Sequence, residues 1–337
     1  MIAAPGPGTH LARPPTVVVV GSAARDLAED DPRGWRLGGG VSYSALTTAR
    51  LGVSTAAIIG VDREASTASE IQLLRDAGVE VQLVHLEHGP VFVNIERPEG
   101  RLQLCGDHSD AIPVESVPPA WRAAPGWILA PVAAELPPAW ADVPSAGALV
   151  AVGWQGLLRE LEAGLPVRHV RPRPDPIIAR ADLVGLSRDD VDKGIELKSL
   201  YGLLRRGASL AVTQGDHGGL IVHGAHGDEE ADLELRHYPA VPSRDPIDPT
   251  GAGDVFLAAL AAARIEPRLV GGRIGQGFDL LLGAAAASLV LEGPGMFGVP
   301  SREAVRDRMR EALPRRSATS SATGSRPRDP GEASPPS

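Results

Sequence analysis

Two rhythms of apolar residues alternate along this chain. Short β-branched or aliphatic runs, such as "TVVVVG" from Thr16 and "STAAIIG" from Ser54, have the pattern of strands covered on both faces. Between them, "GVSYSALTTARLG" up to Gly52 and "ASEIQLLRDAGV" from Ala68 repeat apolar positions at helical spacing. Further strands are predicted at "EVQLVHL", "GWILAP", "GALVAVG" and "ADLVGLS". A strand pair is predicted around a turn at Pro98-Glu99-Gly100, and "SLAVTQGDHGGLIVHGAHG" reads as two strands with a Gly-rich turn. The stretch "RDDVDKGIELKSLYGLLRRG" reads as helical, and two helical stretches follow Asp248, the second being "DLLLGAAAASLVLEG". Alternation of this kind predicts an α/β domain with a mainly parallel sheet, to which residues 81–105 add a small antiparallel piece. Ligands of such sheets bind at the carboxyl ends of the strands.

The 337 residues suffice for one large domain or two modest ones. A net charge of -9, with Lys193 and Lys198 as the only lysines, argues against a nucleic-acid partner. The single cysteine, Cys105, excludes an intramolecular disulfide and a Cys-rich zinc site, which is compatible with a cytoplasmic location. No apolar run approaches the roughly 18 residues of a membrane span. Residues 1–15 read as a Pro/Gly-rich disordered lead-in and 314–337 as a Ser/Pro/Thr-rich disordered tail, leaving a folded part over 16–313.

The candidate chemistry centres on "DPTGAGDVFLAAL" from Asp248. Gly251, Ala252 and Gly253 form a turn almost free of side chains, and the apolar run after Asp254 reads as a buried helix. A helix start exposes unpaired N–H groups and the positive end of the dipole, which suits an anion and phosphate above all. A Gly-rich turn capped by Asp is also common at ordinary helix starts. The P-loop, the G-x-G-x-x-G fingerprint, the protein-kinase signatures and the G-x-S-x-G elbow are all absent. The pairs His85/His88 and His223/His226 are spaced poorly for a metal, and Cys105 reads as structural.

"DPTGAGD" followed by Phe256 resembles the signature of the PfkB, or ribokinase-like, carbohydrate kinases. "LGGGVSYSALTTARLG", "GSAARDL" and "AVTQGDHGG" resemble three further segments of that family, in the same order, so that the resemblance runs over about 16–313. It implies a ribokinase-like three-layer sandwich with a mainly parallel central sheet and a small, reduced β lid (about 27–37 and 81–108). It also implies transfer of a phosphoryl group from ATP, with Mg²⁺, to a hydroxyl of a small polyol. Asp254 would be the general base, and the backbone of Gly251, Ala252, Gly253 and Asp254 the anion hole. Asp26, Gly39 and Gly40, with Gly38 beside them, would face the substrate. Thr213, Gly215, Gly218 and Ser187 would face the nucleotide.

Departures from the family pattern bear on substrate and metal. Tyr43 stands where the family often has Asn, and would either meet a substrate ring or fill the core of its helix. The usual N-x-x-E is Ser187-Arg188-Asp189-Asp190, so Asp190 would reach Mg²⁺ through water. Gln155 and Arg159 are candidate substrate-side groups, Arg159 alternatively a surface residue on a helix. The short Asp26–Gly38 link, Tyr43, the Gln155–Arg159 spacing and the spelling "DPTGAGD" resemble the myo-inositol kinases of the family. A nucleoside kinase and a non-catalytic binding or regulatory relative are the alternatives; a monomer or a homodimer is expected.

Overall fold

The computed structural model describes residues 14–97, 100–224 and 233–313. The expected lead-in up to residue 13, the turn at Pro98-Glu99 and the expected tail lie outside the described residues. In chain order the strands are β1 (Val17–Ser22), β2 (Arg25–Leu27), β3 (Trp35–Leu37), β4 (Thr55–Val61), β5 (Glu80–His85), β6 (Val91–Arg97), β7 (Gly100–Asp107) and β8 (Gly126–Leu129). There follow β9 (Leu149–Gly153), β10 (Arg159–Glu160), β11 (Arg168–His169), β12 (Leu183–Ser187), β13 (Ser209–Thr213), β14 (Gly219–Gly224) and β15 (Leu233–Tyr238). The α-helices are α1 (Gly40–Arg50), α2 (Ser69–Asp76), α3 (Pro176–Arg180), α4 (Leu197–Tyr201), α5 (Ala252–Ile265), α6 (Phe278–Val290) and α7 (Arg302–Ala312).

Nine strands form one sheet in the order β15-β14-β13-β12-β9-β8-β1-β4-β5. From β13 to β5 all neighbours are parallel, and β14 and β15 extend one edge as antiparallel strands. The "VVVV" run explains its own burial: Val17 and Val19 face one apolar layer, Val18 and Val20 the other. The first layer holds α1, α2, α5, α6 and α7, and Gly283 lets α6 approach α5, since a Cβ there would stand 2.9 Å from the Phe256 ring. The second layer is made of short helices and loops around Trp127, Trp140 and Trp154, all buried. Each fully buried large apolar side chain contributes roughly 1.5–3 kcal/mol, so both layers anchor the sheet firmly.

A four-stranded sheet, in the order β3-β2-β6-β7, stands apart from the large one and forms the lid. Its extent differs from the expected 81–108, because Glu80–His85 pairs in parallel with β4 as an edge strand of the main sheet. The sequence around residues 188–207 is not one helix. It holds a 3₁₀ turn over Arg188–Asp190 and the five-residue α4, because Gly194 and the buried Asp190 interrupt the pattern. Strand β15 and helices α3 and α7 were not legible as elements. No helix of the described residues is long and apolar enough to cross a membrane.

Candidate active site

Helix α5 packs across β8, β9 and β12, with Leu257 against Gly185 of β12 and Asp254 against Gly40 at the start of α1, and Asp26 of the lid strand β2 lies near enough to act on Asp254. Gly251 is the N-cap of α5 in the left-handed region (φ 79°), with no side-chain cap. Tyr43 explains its identity: a Cβ on Gly251 would collide with the Tyr43 ring. Among the described residues, the backbone N–H groups of Gly251, Gly253 and Asp254 have no hydrogen-bond partner, and Ala252 N–H reaches only Pro249 O at 3.4 Å. No neighbour fills the space where a Gly253 side chain would go. The turn is therefore a set of free donors at the positive end of a fourteen-residue helix.

The two aspartates of "DPTGAGD" do different work. Asp248 holds the turn: its Oδ1 accepts from Thr250 N–H at 2.9 Å and its Oδ2 from Gly295 N–H at 3.0 Å, with the Arg36 guanidinium of the lid 3.8 Å away. Asp254 lies in the first turn of α5 and is partly buried. Removal from water raises its pKa to about 7, against the pull of Arg159 and with help from the like charges of Asp190 and Asp26.

The glycines before α1 bring the second carboxylate into the same space. A side chain on Gly38 would collide with the Asp26 carboxylate, and a Cβ on Gly40 would stand 2.7 Å from Asp254 Oδ1. Gly39, at φ 91°, turns the chain between them, 2.5 Å (as a Cβ) from Ser22 O. Glycine at 38 and 40 thus leaves both carboxylates room against one backbone. Asp26 lies in β2 and accepts from Asn94 Nδ2 at 3.3 Å; Asn94 Oδ1 in turn accepts from Gln103 Nε2 at 2.8 Å. This relay was not legible in the sequence; the register of β6 with β7 pairs Asn94 with Gln103.

Arg159 is the cation among these acids. It starts β10 rather than lying on a helix surface, and its guanidinium sits 5.9 Å from the Phe92 ring of the lid. Burial lowers its pKa, while Asp190, Asp254 and Asp26 oppose that shift. Its Nε is buried without a partner among the described residues. Gln155 turns to the other side and donates to Asp190 Oδ1 at 3.0 Å. Asp190 is buried, and its Oδ2 accepts from Ser187 N–H at 2.8 Å in a capping box. Tyr43 is buried (2% exposed) beneath Gly251, so of its two expected positions it occupies the core of its helix. Burial holds its hydroxyl pKa well above the usual range, and Asp248, Asp26 and Asp254 add to this.

Thr213 closes β13, and its hydroxyl donates to Leu186 O at 3.4 Å. Gly215 and Gly218 both take positive φ (58° and 80°) in the turn after it, where Gln214 N–H binds Gly218 O at 2.8 Å. Beside that turn opens a cleft of about 520 Å³ lined by Arg188, Lys193, Lys198, Gln214 and Leu235 among others. Both lysines of the protein meet there, which their separation from any motif in the sequence did not reveal. Glu135, buried, accepts N–H groups of Ser22, Val132 and Ala133 and ties the ends of β1 and β8 together below the site. His223 pairs with Ser209 Oγ at 2.9 Å, and His226 lies outside the described residues.

Residues 181–300 match the sequence model of the pfkB family of carbohydrate kinases. No curated protein matches the chain. Among solved structures, a pyrophosphate-dependent kinase of the ribokinase family, complexed with a pyrophosphate analogue and myo-inositol, is similar with a TM-score of 0.64 and 18% identity, over 86% of this chain and 99% of that one. Arabidopsis thaliana ribokinase complexed with ribose and ATP is similar with a TM-score of 0.60 and 19% identity, over 88% and 99%. The nucleoside kinase of Methanocaldococcus jannaschii, an archaeal member of the ribokinase family, is similar with a TM-score of 0.60 and 18% identity, over 88% and 98%. The resemblance to the pfkB family therefore rests on sequence over residues 181–300 and on a shared ribokinase-like fold over most of the chain.

Proposed function

We propose that this chain, with pfkB-family sequence over residues 181–300 on a ribokinase-like fold, is a kinase that phosphorylates a hydroxyl of a sugar or cyclitol. The observation that carries the proposal is the meeting of Asp254 with the unpaired N–H groups of Gly251, Gly253 and Asp254 at one helix start. A binding protein has no use for a carboxylate beside an anion hole. A phosphotransferase needs both.

The acceptor hydroxyl would lie against Asp254, which takes its proton as the oxygen attacks phosphorus. A base with a pKa of about 7 is matched to neutral pH, where it is substantially ionised and still basic enough to accept the proton. The N–H groups of the 251–254 turn would stabilise the charge spread over the equatorial oxygens of the phosphoryl group. Asp26, aimed by Asn94, and Arg159 would bind the other hydroxyls and orient the ring. Tyr43 acts from below, holding the turn in place rather than touching the acceptor.

Mg²⁺, when bound, supplies charge neutralisation on the donor phosphates. The residues suit an ion held through water: both oxygens of Asp190 already accept an N–H, from Gln155 and from Ser187, which leaves lone pairs for water rather than a free carboxylate. Thr213, Gly215 and Gly218 would line the donor side, with ATP as the expected donor.

Pyrophosphate is a second donor to be tested. The cleft that gathers Arg188, Lys193 and Lys198 offers charge to a chain of phosphates without requiring a base, and a structural neighbour is pyrophosphate-dependent. The experiment is an assay of phosphoryl transfer from Mg-ATP and from Mg-pyrophosphate to a panel of pentoses, hexoses, inositols and nucleosides. Acceptor-stimulated turnover with an inositol or a sugar is expected. Turnover with a nucleoside alone would replace the acceptor class. Absence of turnover with both donors and every acceptor would contradict the kinase reading and favour a non-catalytic relative.

A further inference from the structure

Four stretches of chain join the lid to the rest of the fold: Ala23–Ala24, Gly38–Gly39 and two longer ones that meet each other. The chain leaves β5 through Leu86–Pro90 to enter β6, and returns from β7 through His108–Pro113. His88 lies in the outward connection, while Asp107 and His108 lie at the start of the return. The two connections are already tied by hydrogen bonds: His88 N–H donates to the Asp110 side chain at Oδ2 (2.8 Å), and Asp110 N–H to His88 O at 3.0 Å. The pair is also tied to the site, because Ser109 Oγ meets Ser22 Oγ at 3.0 Å at the end of β1.

Three metal-ligating side chains converge across this hinge. His88 Nδ1 stands 3.4 Å from Asp107 Oδ2, and His108 Nδ1 stands 3.0 Å from Asp107 Oδ1. The two imidazole rings lie face to face with centroids 4.7 Å apart and turn the same edge to one carboxylate. All three ligand atoms fall within 4.8 Å of one another. Ligands of one tetrahedral zinc, at bond lengths of about 2.0–2.1 Å, lie about 3.3 Å apart, and the two imidazoles stand close to that spacing from Asp107, each now in contact with a different carboxylate oxygen. All three side chains are partly exposed (36–53%), which leaves the imidazoles free to close the remaining gap and leaves open positions for water. Neither His spacing in the sequence pointed here, since the set forms only where the two connections meet.

We propose that His88, Asp107 and His108 form a binding site for a divalent transition-metal ion of the zinc class, which clamps the two longer connections of the lid to each other. Two imidazoles and a carboxylate suit zinc and its neighbours; magnesium and calcium prefer oxygen alone. The ion would lie on the outer side of the hinge and take no part in phosphoryl transfer. Its effect is on motion: an ion bridging both connections limits how far the lid swings from the site that Asp26 and Asn94 cover.

The test is titration calorimetry of the chelator-treated full chain with zinc chloride, followed by calcium and magnesium. One equivalent of zinc is expected, without competition from the other two. His108→Ala and His88→Ala should each weaken binding by at least ~10-fold, the least expected when even a supporting partner of a ligand is removed. Thermal unfolding of both variants without metal should match the parent, as expected for exposed side chains. Hydrogen exchange over residues 91–97 and 102–107 should slow with zinc in the parent and stay unchanged in His108→Ala. No zinc binding, or equal binding by parent and variants, would overturn the site. Binding without slower exchange would overturn the clamp.

Discussion

The acceptor and donor sides of the proposed site differ in how they are made. On the acceptor side Asp26, Arg159 and Asp254 are partly buried, the two carboxylates packed against glycines and all three set among like and unlike charges. On the donor side Arg188, Lys193 and Lys198 line an open cleft. Burial changes chemistry and exposure does not. The withdrawn carboxylate becomes a base matched to neutral pH, whereas the open lysines act only as charge, screened by salt within about 10 Å at 0.1 M. Chemical specificity therefore belongs to the acceptor side, and attraction of phosphate to the donor side.

The largest expected effect breaks the acceptor side at its base. Asp254→Asn should lower turnover by ~100-fold or more, with donor affinity within a few-fold of the parent. The same variant has an opposite effect on stability. A partly buried acid with its pKa raised to about 7 favours the folded state fully below the unfolded value of 3.8, and that advantage is lost as pH rises through 7. Thermal unfolding should thus show Asp254→Asn more stable than the parent at pH 8 and little different at pH 4. Equal melting at both pH values would mean that the carboxylate is not desolvated.

Gly40→Ala should come next. Its new methyl, 2.7 Å from Asp254 Oδ1 and 3.2 Å from Ala130 Cβ, must push the base aside. Misplacement of a catalytic group by an ångström costs up to ~100-fold, so steady-state kinetics should show turnover falling ~10–100-fold. Unchanged turnover would show that Asp254 does not depend on its position against α1. Arg159→Gln removes the cation that holds the Asp254 pKa down. The acidic limb of the kcat/KM profile should then move to higher pH, and acceptor KM should rise. A limb that moves down or stays would remove Arg159 from the electrostatics of the base. Least affected should be the donor side: Lys193→Ala and Lys198→Ala should raise donor KM a few-fold at low salt, with kcat nearly unchanged and the difference fading as salt is added. A fall in kcat instead would place those lysines in the chemistry.

The contrast also governs what was legible in the sequence. The parallel sheet followed from β-branched runs that are apolar on both faces, because such runs suit strands covered on both sides. "GAGD" was legible because a turn stripped of side chains shows in glycine, and Gly38–Gly40 because close approach of backbone to other groups does too. Groups that act through pairing across the fold were not: Asn94 and Gln103 look like ordinary polar residues of a hairpin until its register is counted. Tyr43 carried two readings, and its burial under Gly251 depends on how α1 meets α5. Lys193 and Lys198 gave no motif, since it is the turn leading into α4 that brings them to one cleft. The 188–207 segment misled because its apolar spacing is helical while Asp190 turns inward to cap Ser187 and Gly194 breaks the run.

The most direct test of the central claim is the pH dependence of kcat/KM for the preferred acceptor, measured for the parent and for Asp254→Asn between pH 5 and 9. Activity of the parent should rise with pH through a limb near 7, where Asp254 ionises, and the residual activity of the variant should lack that limb. A limb that persists in the variant, or a parent profile already flat above pH 5, would contradict Asp254 as the base.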